Sequence, residues 1–286
     1  MMKKVVVLGS TGMAGHMISC YMEEQGFVVY RVSRSEKNSE MSRRIDVVNI
    51  DQVIQYIDEV GADVVINCIG LLQKQCEERS DLAVLINSYM PHCLEYHYER
   101  SRVKIIHLST DCVFSGERGN YREDDLPDGK TFYDRSKSLG EINNDKDITL
   151  RMSIIGPDVD ENGTGLFNWF MKQNGTINGY SNAIWNGVTT LELAEAIVAA
   201  IEVDLTGLYH LVPHGSIDKY NLLLLFQKIF EKTNIKVVED GGFAVNKSLV
   251  NSRHDFNYQV KDYPTQIMNM KLWIDRNKCL YPDIYF

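Results

Sequence analysis

Three glycines near the amino end constrain the fold of this chain more than any other feature. Gly9, Gly12 and Gly15 directly follow the apolar run Val5–Leu8, and a helical pattern covers residues 12–25. Glycine permits a tight turn, a close approach of the backbone to a phosphate, and close packing of a helix on a strand. The amino end of the helix then faces the negative charge. This segment therefore predicts a strand, a phosphate-binding loop and a helix, the unit that binds the pyrophosphate of a dinucleotide.

Short apolar runs alternate with helical patterns through the first half of the chain. Pro91 should kink the helix that contains it or mark a break in that helix. Strand and helix in this rhythm predict an α/β fold with a doubly wound parallel sheet. The predicted strands are 27–32, 63–68, 103–108 and 148–152, and the predicted helices are 51–60, 81–98 and 131–143.

The second half of the chain is less regular, and it is richer in Gly, Asn and aromatic residues. Two helical patterns stand out there, over 191–202 and 219–230. We therefore predict a dinucleotide-binding domain of the Rossmann type over residues 1–155 and a smaller α/β substrate lobe over residues 156–286. Part of 184–212 is expected to return to the first domain.

Composition excludes several classes of protein. The net charge is −9, which argues against broad nucleic-acid binding because that needs a basic face. The 6 cysteines form no C-x-x-C pair and the 7 histidines show no metal-ligand spacing, so no metal site is predicted. Reduced thiols indicate a cytoplasmic protein. No apolar run approaches the roughly 20 residues of a membrane span.

The end of the second predicted strand should contact the ribose of the nucleotide. An NAD site has an acidic residue there, about 20 residues past the glycines. The stretch 30–35 contains no acid, whereas Arg31 and Arg34 can pair with a 2′-phosphate and Ser33 can donate a hydrogen bond. This favours NADP(H) over NAD(H), with solvated surface arginines as the alternative.

Further cofactor contacts are expected after the next strands. The Asp46 carboxylate can accept a hydrogen bond from the amino group of adenine. The alternative that Asp46 is an ordinary surface aspartate explains the sequence nearly as well. Residues 67–70 end a parallel strand at the carboxyl edge, where such sheets bind ligands. The predicted cofactor-binding residues are Gly9, Thr11, Gly12, Met13, Gly15, Arg31, Ser33, Arg34, Asp46, Val47, Cys68, Ile69, Gly70, Asn87, Ser109, Tyr133 and Lys137.

Tyr133 and Lys137 lie four residues apart on a predicted helix, which places both side chains on one face. A neighbouring ammonium favours the phenolate, so Lys137 should lower the pKa of Tyr133 from its usual value of about 10. This spacing alone is common in ordinary helices. Thr110 changes the interpretation, because it follows a strand at the same sheet edge as the glycines. The three residues together predict a catalytic trio that handles a carbonyl oxygen and its proton beside a nicotinamide.

At these residues the chain resembles the extended short-chain dehydrogenases/reductases, and within them the dTDP-4-dehydrorhamnose reductase group. The most specific match is S-T-D-C-V-F-S-G at 109–116, where that group has S-T-D-Y-V-F-x-G. GSTGMAG at 9–15, YDRSK at 133–137 and LRMS at 150–153 match as well, with weaker similarity at 187–197 and 207–211. The resemblance covers most of the chain, densely before residue 155.

The resemblance implies NAD(P)H-dependent reduction of a 4-keto-6-deoxy sugar on a nucleoside diphosphate, in polysaccharide or glycan precursor synthesis. Hydride would pass to the ketone carbon, and Tyr133 would give its proton to the alkoxide. Thr110 would hydrogen-bond the same oxygen, while Lys137 would bind the nicotinamide ribose.

The sugar pocket departs from the group, because Cys112 stands where relatives have a tyrosine that faces substrate. The sequence therefore does not predict the identity of the sugar or of the nucleotide base. Trp185 is a candidate for stacking on the base and Arg253 for pairing with the diphosphate, with core packing and a plain surface arginine as the alternatives. The predicted substrate-binding residues are Cys112, Val113, Asn168, Trp185 and Arg253.

Two other functions fit the same fold. An epimerase or dehydratase of the superfamily would keep NAD tightly bound, and the missing acid after the second strand argues against it. A non-catalytic regulatory subunit would keep the cofactor pocket, and the intact Tyr133 and Lys137 pair argues against that. A homodimer is a candidate assembly.

Overall fold

The computed structural model describes residues 2–286. The strands are β1 Lys4–Leu8, β2 Val28–Ser33, β3 Ser42–Arg44, β4 Val64–Asn67, β5 Lys104–Thr110, β6 Ile148–Met152, β7 Ile154–Ile155, β8 Gly175–Trp185, β9 Val188–Thr189, β10 Gly207–His210, β11 Ile217–Asp218 and β12 Ile235–Asn246. The helices are α1 Met13–Glu24, α2 Ile50–Val60, α3 Gln73–Glu78, α4 Ser80–Ala83, α5 Met90–Tyr98, α6 Phe132–Leu139, α7 Leu166–Lys172, α8 Thr190–Glu202, α9 Lys219–Ile229 and α10 Tyr263–Arg276.

The central sheet has seven strands in the order β10-β6-β5-β4-β1-β2-β3, and every neighbouring pair is parallel. Parallel neighbours need long crossover connections, which the helices supply. The order runs outward from β1 in both directions, so ligands are expected at the carboxyl edge beside β1, where the order reverses. The predicted α/β fold with a doubly wound parallel sheet is confirmed.

Both faces of this sheet are covered, and β1 shows it residue by residue. Val5 and Val7 pack in one apolar core with α1 and α8, while Val6 and Leu8 pack in another with α2 and α5. All four are fully buried. Because side chains alternate between the faces of a strand, a doubly covered strand needs an unbroken apolar run, which is the pattern of β1.

The helical segment around Pro91 changes its hydrogen bonding instead of breaking. Residues Val84–Tyr89 form a π-helical turn between α4 and α5. Pro91 then falls in the first turn of α5. Proline is tolerated there, because the π-helical turn before it already replaces the regular i→i−4 hydrogen bonding.

The second half of the chain contains a three-stranded sheet in the order β11-β8-β12. β8 pairs in parallel with β12 and antiparallel with β11. Phenylalanines join α7 to α9, since the ring of Phe226 lies 5.2 Å from Phe167 and 5.5 Å from Phe170. The sequence pattern did not predict β8 and β12, because both expose many polar and glycine positions.

Two elements of the second half lie against the first domain. β10 extends the central sheet beside β6, and α8 packs on α1. Both fall within 184–212, the range from which a return was expected. The division of the chain at residue 155 stays a prediction.

A buried ion pair fixes the loop after α6 to the central sheet. Nε and Nη2 of Arg151 donate to the carboxylate of Glu141, each at 2.6 Å, and the two side chains are 4% and 7% exposed. Ser109 also donates to Glu141. Two-point contact of this kind is strong and directional. The pair therefore holds α6, with Tyr133 and Lys137, in register with β5 and β6.

We expect Glu141→Ala to lower the free energy of unfolding by about 3–5 kcal/mol, because it leaves Arg151 buried without its partner. Urea denaturation measures this change. Glu24→Ala is the matched control, since the Glu24–Arg276 pair is exposed at 41% and 61%. Such surface pairs contribute about 0–1 kcal/mol. Equal losses in the two variants would contradict the role given to Glu141.

Candidate active site

The glycine loop, residues 9–15, turns sharply between β1 and α1. Gly9 has a φ of +83°, in the left-handed region that favours glycine. The amides of Gly9 and Ser10 donate to the carbonyl of Val32, at 2.8 and 3.2 Å. Gly12 caps α1 without a side-chain hydrogen bond, and the first turn contains no acid. The amino end of α1 is therefore open to an anion.

The three glycines of the loop have different roles. A Cβ on Gly15 would lie 2.1 Å from the carbonyl oxygen of Gly9, which no real structure tolerates. A Cβ on Gly9 would lie 2.9 Å from the side chain of Ile69. Gly12 is exposed, and a Cβ there would meet only the Gly9 oxygen, at 3.4 Å. Gly15 therefore closes the turn, whereas Gly12 keeps the outer face of the loop clear.

Hydroxyl groups and charges follow the carboxyl end of β2, and we call residues 33–36 the β2 rim. Thr11 Oγ1 lies 3.1 Å from Ser33 Oγ, and Arg34 is exposed beside them. Glu36 accepts a hydrogen bond from Ser10 at 2.9 Å. The rim therefore carries an acid as well as a cation. Glu36 lies beyond the stretch in which an acid is usually sought, so the pattern did not point to it.

Arg31 is bound to α1 instead of facing the rim. Its guanidinium pairs with Glu23 at 2.9 Å and approaches the Cys20 sulfur at 3.7 Å. Because Arg31 lies inside β2, strand alternation directs its side chain onto the helix that covers the sheet. The assignment of Arg31 to a 2′-phosphate is therefore corrected, and Arg34 is the remaining candidate.

The segments after β3 and β4 lie on either side of the glycine loop. Asp46 is exposed and lines an open groove of about 820 Å³ between α2 and α5. Val47 belongs to the apolar core, so only its backbone is available to a ligand. A Cβ on Gly70 would lie 3.9 Å from Nζ of Lys137. Since Ile69 packs over Gly9, the segment 68–70 joins the glycine loop to Lys137.

Lys137 is held by a chain of buried polar groups. Its Nζ donates to the carbonyl of Leu108 at 2.7 Å and lies 3.4 Å from Nε2 of His107. Nδ1 of His107 lies 3.0 Å from Nδ2 of Asn67. Asn67 Oδ1 accepts from the amide of Ile69, which fixes the orientation of the side-chain amide. Nδ1 of His107 is therefore the acceptor, and Nε2 carries the proton.

This tautomer favours the neutral form of Lys137, because an N–H group cannot accept a hydrogen bond from an ammonium. Burial has the same effect and lowers the pKa of Lys137 to about 8, although Glu141, Cys76 and Cys68 act to raise it. Burial also lowers the pKa of His107 well below its usual value. Lys137 therefore exchanges its proton close to neutral pH.

Tyr133 and Thr110 meet beside this chain. The hydroxyl of Thr110 adjoins the Tyr133 phenol and acts to lower its pKa. Thr110 Oγ1 also donates to Asp111 and accepts from the amide of Cys112, both at 3.1 Å. Thr110, Tyr133 and Lys137, which we call the reaction centre, are thus brought to one end of β5.

The pKa of Tyr133 contradicts the expectation drawn from its spacing to Lys137. Burial raises this pKa well above its usual value, and the neighbouring Cys112 thiol and Asp111 carboxyl raise it further. A poorly solvated phenolate is disfavoured, so burial sets the direction of the shift. The prediction that the pKa of Tyr133 is lowered was therefore wrong.

Asn87 and Ser109 support the site from behind. Asn87 accepts from the amide of Leu71 at 2.8 Å and donates to Ser136 Oγ at 3.1 Å, so it clamps the 70–72 segment onto α6. Ser109 donates to Glu141, away from the reaction centre. Both side chains were predicted to contact the cofactor. In the structure both side chains instead form hydrogen bonds with other protein groups, because buried polar atoms need partners.

Among the predicted substrate contacts, Cys112 lies half-buried beside the reaction centre, and burial raises the pKa of its thiol to about 12. Val113 is fully buried in a small apolar cluster with Phe114. Asn168 is fully buried too, and it accepts from the hydroxyl of Tyr285 at 3.1 Å while donating to loop carbonyls. Val113 and Asn168 are therefore corrected to internal packing and loop anchoring.

Arg253 lies at the wrong edge of the sheet for a substrate phosphate. Its Nη1 donates to the carbonyls of Thr206 and Leu208 at 2.6 and 3.0 Å, and its Nε donates to Asp255 at 2.9 Å. Thr206 precedes β10, so this guanidinium is at the amino end of the strand. Ligands bind at the carboxyl end. The assignment of Arg253 to the diphosphate is therefore corrected.

Trp185 is 4% exposed, which leaves no open face for stacking on a base. Nζ of Lys219 lies 4.6 Å from the centre of its ring. Lys219 was not predicted, because a single lysine at the start of a helix looks like any surface lysine in the sequence. Only the fold brings it to the ligand edge of the molecule.

Within residues 2–286, no helix is long and apolar enough to cross a membrane. In the same range, no three His, Cys, Asp or Glu side chains are grouped so that they could hold a metal ion.

Comparisons with known proteins identify similar sequences. The family model described as RmlD substrate binding domain matches residues 2–249. The probable low-salt glycan biosynthesis reductase Agl14 of Haloferax volcanii is 32% identical over 158 residues, which is 52% of each chain. The spore coat polysaccharide biosynthesis protein SpsK of Bacillus subtilis is 28% identical over 224 residues, which is 75% of each chain. The first alignment thus spans about half the length of that relative.

A solved structure is similar over nearly the whole chain. It is the dTDP-4-dehydrorhamnose reductase of Bacillus anthracis in complex with NADP. The TM-score is 0.81 at 21% identity, with 96% of this chain and 100% of that chain covered. Likeness at this identity shows that the two proteins share a fold.

The different roles of the glycines can be tested by binding. We expect Gly12→Val to cost less than about 2 kcal/mol of stability, close to the cost of changing a helix cap. It should nevertheless weaken NADPH binding at least about tenfold, because the added methyl groups stand in front of the open helix end. Gly15→Val should fail to fold, since its side chain would collide with the backbone. Thermal unfolding and NADPH fluorescence titration separate these outcomes, and undiminished binding by Gly12→Val would contradict this placement of the loop.

The depressed pKa of Lys137 predicts a pH-dependent stability difference. In the parent protein, the folded state binds Lys137's proton less tightly than the unfolded state, so stability should rise as pH increases from about 8 to about 10.5. The rise is on the order of 3 kcal/mol at about 1.4 kcal/mol per pKa unit. Lys137→Met lacks this group. Urea denaturation at pH 7 and pH 10 should therefore show the parent gaining stability relative to Lys137→Met, and a constant difference would contradict the assignment.

Proposed function

Because the chain belongs to the RmlD substrate binding domain family, we propose that it is an NAD(P)H-dependent reductase of a nucleotide-linked 4-keto-6-deoxy sugar. The proposed reaction belongs to the synthesis of polysaccharide or glycan precursors. The observation that carries the proposal is the junction at 68–70, where Ile69 packs over the glycine loop and Gly70 lies against Lys137. The names of the two relatives, a glycan reductase and a polysaccharide biosynthesis protein, support the same class of product.

The cofactor is a nicotinamide dinucleotide, and the residues present fit it. The open amino end of α1 and the bare backbone of Gly12 suit a pyrophosphate. Lys137 suits the hydroxyls of the nicotinamide ribose, and Arg34 suits a 2′-phosphate. When bound in its reduced form, the nicotinamide supplies a hydride.

The remaining chemistry belongs to the reaction centre. Because the Thr110 hydroxyl adjoins the Tyr133 phenol, we place one ketone oxygen where it accepts a hydrogen bond from each, with Thr110 turning its proton from Asp111 to this oxygen. As negative charge develops on this oxygen, Tyr133 transfers its phenolic proton to it. The Thr110 donor stabilises the same charge, by about 3 kcal/mol on analogy with other oxyanion donors. Lys137, whose pKa is about 8, holds a proton that can return to the phenolate near neutral pH.

We expect Tyr133→Phe to lower kcat by about 10²–10⁴-fold, which is the contribution of a general acid. NADPH affinity should be unchanged, because the phenol ring stays in place. The assay follows loss of NADPH absorbance with 4-keto-6-deoxy sugars linked to dTDP, UDP, GDP and CDP. Failure of the parent protein to turn over any of them would count against the proposal.

The same preparations test the two alternatives. Purified protein that carries stoichiometric NAD and consumes no net NADPH would indicate an epimerase or dehydratase. A regulatory subunit would be indicated if Tyr133→Phe leaves cellular function intact and a partner protein co-purifies with this chain. A cytoplasmic location and a homodimer stay predictions.

The preference for NADP(H) over NAD(H) rests on Arg34, because Arg31 is bound to Glu23. Glu36 on the same rim opposes a 2′-phosphate. We expect Arg34→Ala to weaken NADPH binding about tenfold or more, as a charge-assisted hydrogen bond contributes about 1.5–3 kcal/mol. NADH binding should stay the same. Arg31→Ala is the matched control and should affect neither cofactor. If Arg34→Ala lowers the affinities for NADPH and NADH equally, Arg34 does not select between the two cofactors.

A further inference from the structure

Lys219 is a half-buried cation that the fold brings beside the reaction centre. It is the first residue of α9 and follows β11, whose Ile217 pairs with Trp185 of β8. Asp218 caps the helix through the amide of Asn221 at 2.8 Å, so the backbone at this point is fixed. The Lys219 ammonium then lies over the Trp185 ring, at 4.6 Å from its centre.

The charges around Lys219 do not balance. Asp111 is the carboxylate that faces its ammonium, and the Cys112 thiol is the other acidic neighbour. Asp111 also faces Lys247, so two ammonium groups share one carboxylate. We call Lys219, Lys247 and Asp111 the lysine cluster. Asp111 accepts a hydrogen bond from Thr110, which ties the cluster to the reaction centre.

Lys219 also lacks hydrogen-bond acceptors. Its Nζ makes no hydrogen bond and no ion pair to any group within residues 2–286. Burial lowers the pKa of Lys219 to about 8, because Asp111 and Cys112 only partly compensate for lost solvation. The Lys219 ammonium keeps some contact with solvent, so a ligand can reach it, whereas the indole Nε1 of Trp185 is a fully buried donor without a partner. A partly desolvated ammonium without a protein acceptor is a group whose charge a ligand anion can satisfy.

We propose that Lys219, backed by Lys247, is an anion-binding subsite for the substrate. It binds a negatively charged oxygen group of the nucleotide sugar, either the diphosphate or a carboxylate on the sugar ring. The inference rests on the proposed function, because a nucleotide sugar is the ligand that brings such a group to Thr110 and Tyr133. Lys219 also supplies the positive charge for this group, which Arg253 cannot provide because it lies at the opposite edge of the sheet.

The test is a binding measurement that needs no turnover. Isothermal titration compares the parent protein, Lys219→Met and Lys219→Arg with dTDP, UDP-glucose and UDP-glucuronate. Lys228→Met is the matched control, since Lys228 is an exposed lysine on the same helix. We expect Lys219→Met to weaken binding at least tenfold, with Lys219→Arg restoring most of the affinity and Lys228→Met having no effect. NADPH titration of each variant confirms that the fold and the cofactor site are intact.

The ligands separate the two sources of charge. Loss of affinity for dTDP and UDP-glucose identifies the diphosphate as the bound group. Loss confined to UDP-glucuronate identifies a sugar carboxylate. Lys219→Met that binds all three ligands as the parent does would overturn this inference and leave the reductase proposal standing. A parent protein that binds NADPH but none of these ligands, and none of their GDP and CDP counterparts, would overturn both.

Discussion

The close approach of two backbone segments, at Gly9 and Gly15, is the constraint on which the site depends. Only a residue without a Cβ can stand where Gly15 does, because a Cβ there would lie 2.1 Å from the Gly9 carbonyl oxygen and collide with it. This contact lets α1 begin directly at the end of β1 and point its uncapped amides outward. The other groups at the ligand edge surround that helix end. The hydroxyls of the β2 rim lie on one side of it, and the 68–70 segment, which contacts both Gly9 and Lys137, lies on the other.

The site is built at a cost in stability, and the surrounding structure offsets it. Burial lowers the pKa values of Lys137 and of the half-buried Lys219 to about 8. Each therefore holds its proton less firmly than a free lysine does, as expected where function overrides packing. The two apolar cores on either side of the central sheet supply the compensating stability. The bidentate Arg151–Glu141 pair then keeps α6 from shifting to relieve the strain of the buried Lys137.

The fold could be predicted because its signals are local. An unbroken apolar strand, a glycine loop and a helical period each lie within about 20 residues, and they are enough to specify a parallel sheet. The side-chain assignments failed where they depended on distant partners. Arg31 is paired by Glu23 across a strand–helix contact, and Arg253 is carried to the amino end of β10 by the course of the chain after β12. Lys219 reaches the site for the same reason, through a β11–β8 pairing that leaves no trace in the local sequence.

The raised pKa of Tyr133 bears on the direction of the reaction. A phenol that donates its proton to a developing alkoxide must be protonated when the substrate binds, and burial beside Cys112 and Asp111 ensures that it is. The reverse reaction needs the phenolate, which the same surroundings disfavour. Lys137 complements this arrangement, because the His107 tautomer fixed by Asn67 leaves its proton loosely held and available to the phenolate. A buried phenol beside a weakened ammonium is therefore suited to giving its proton to the oxygen of a ketone.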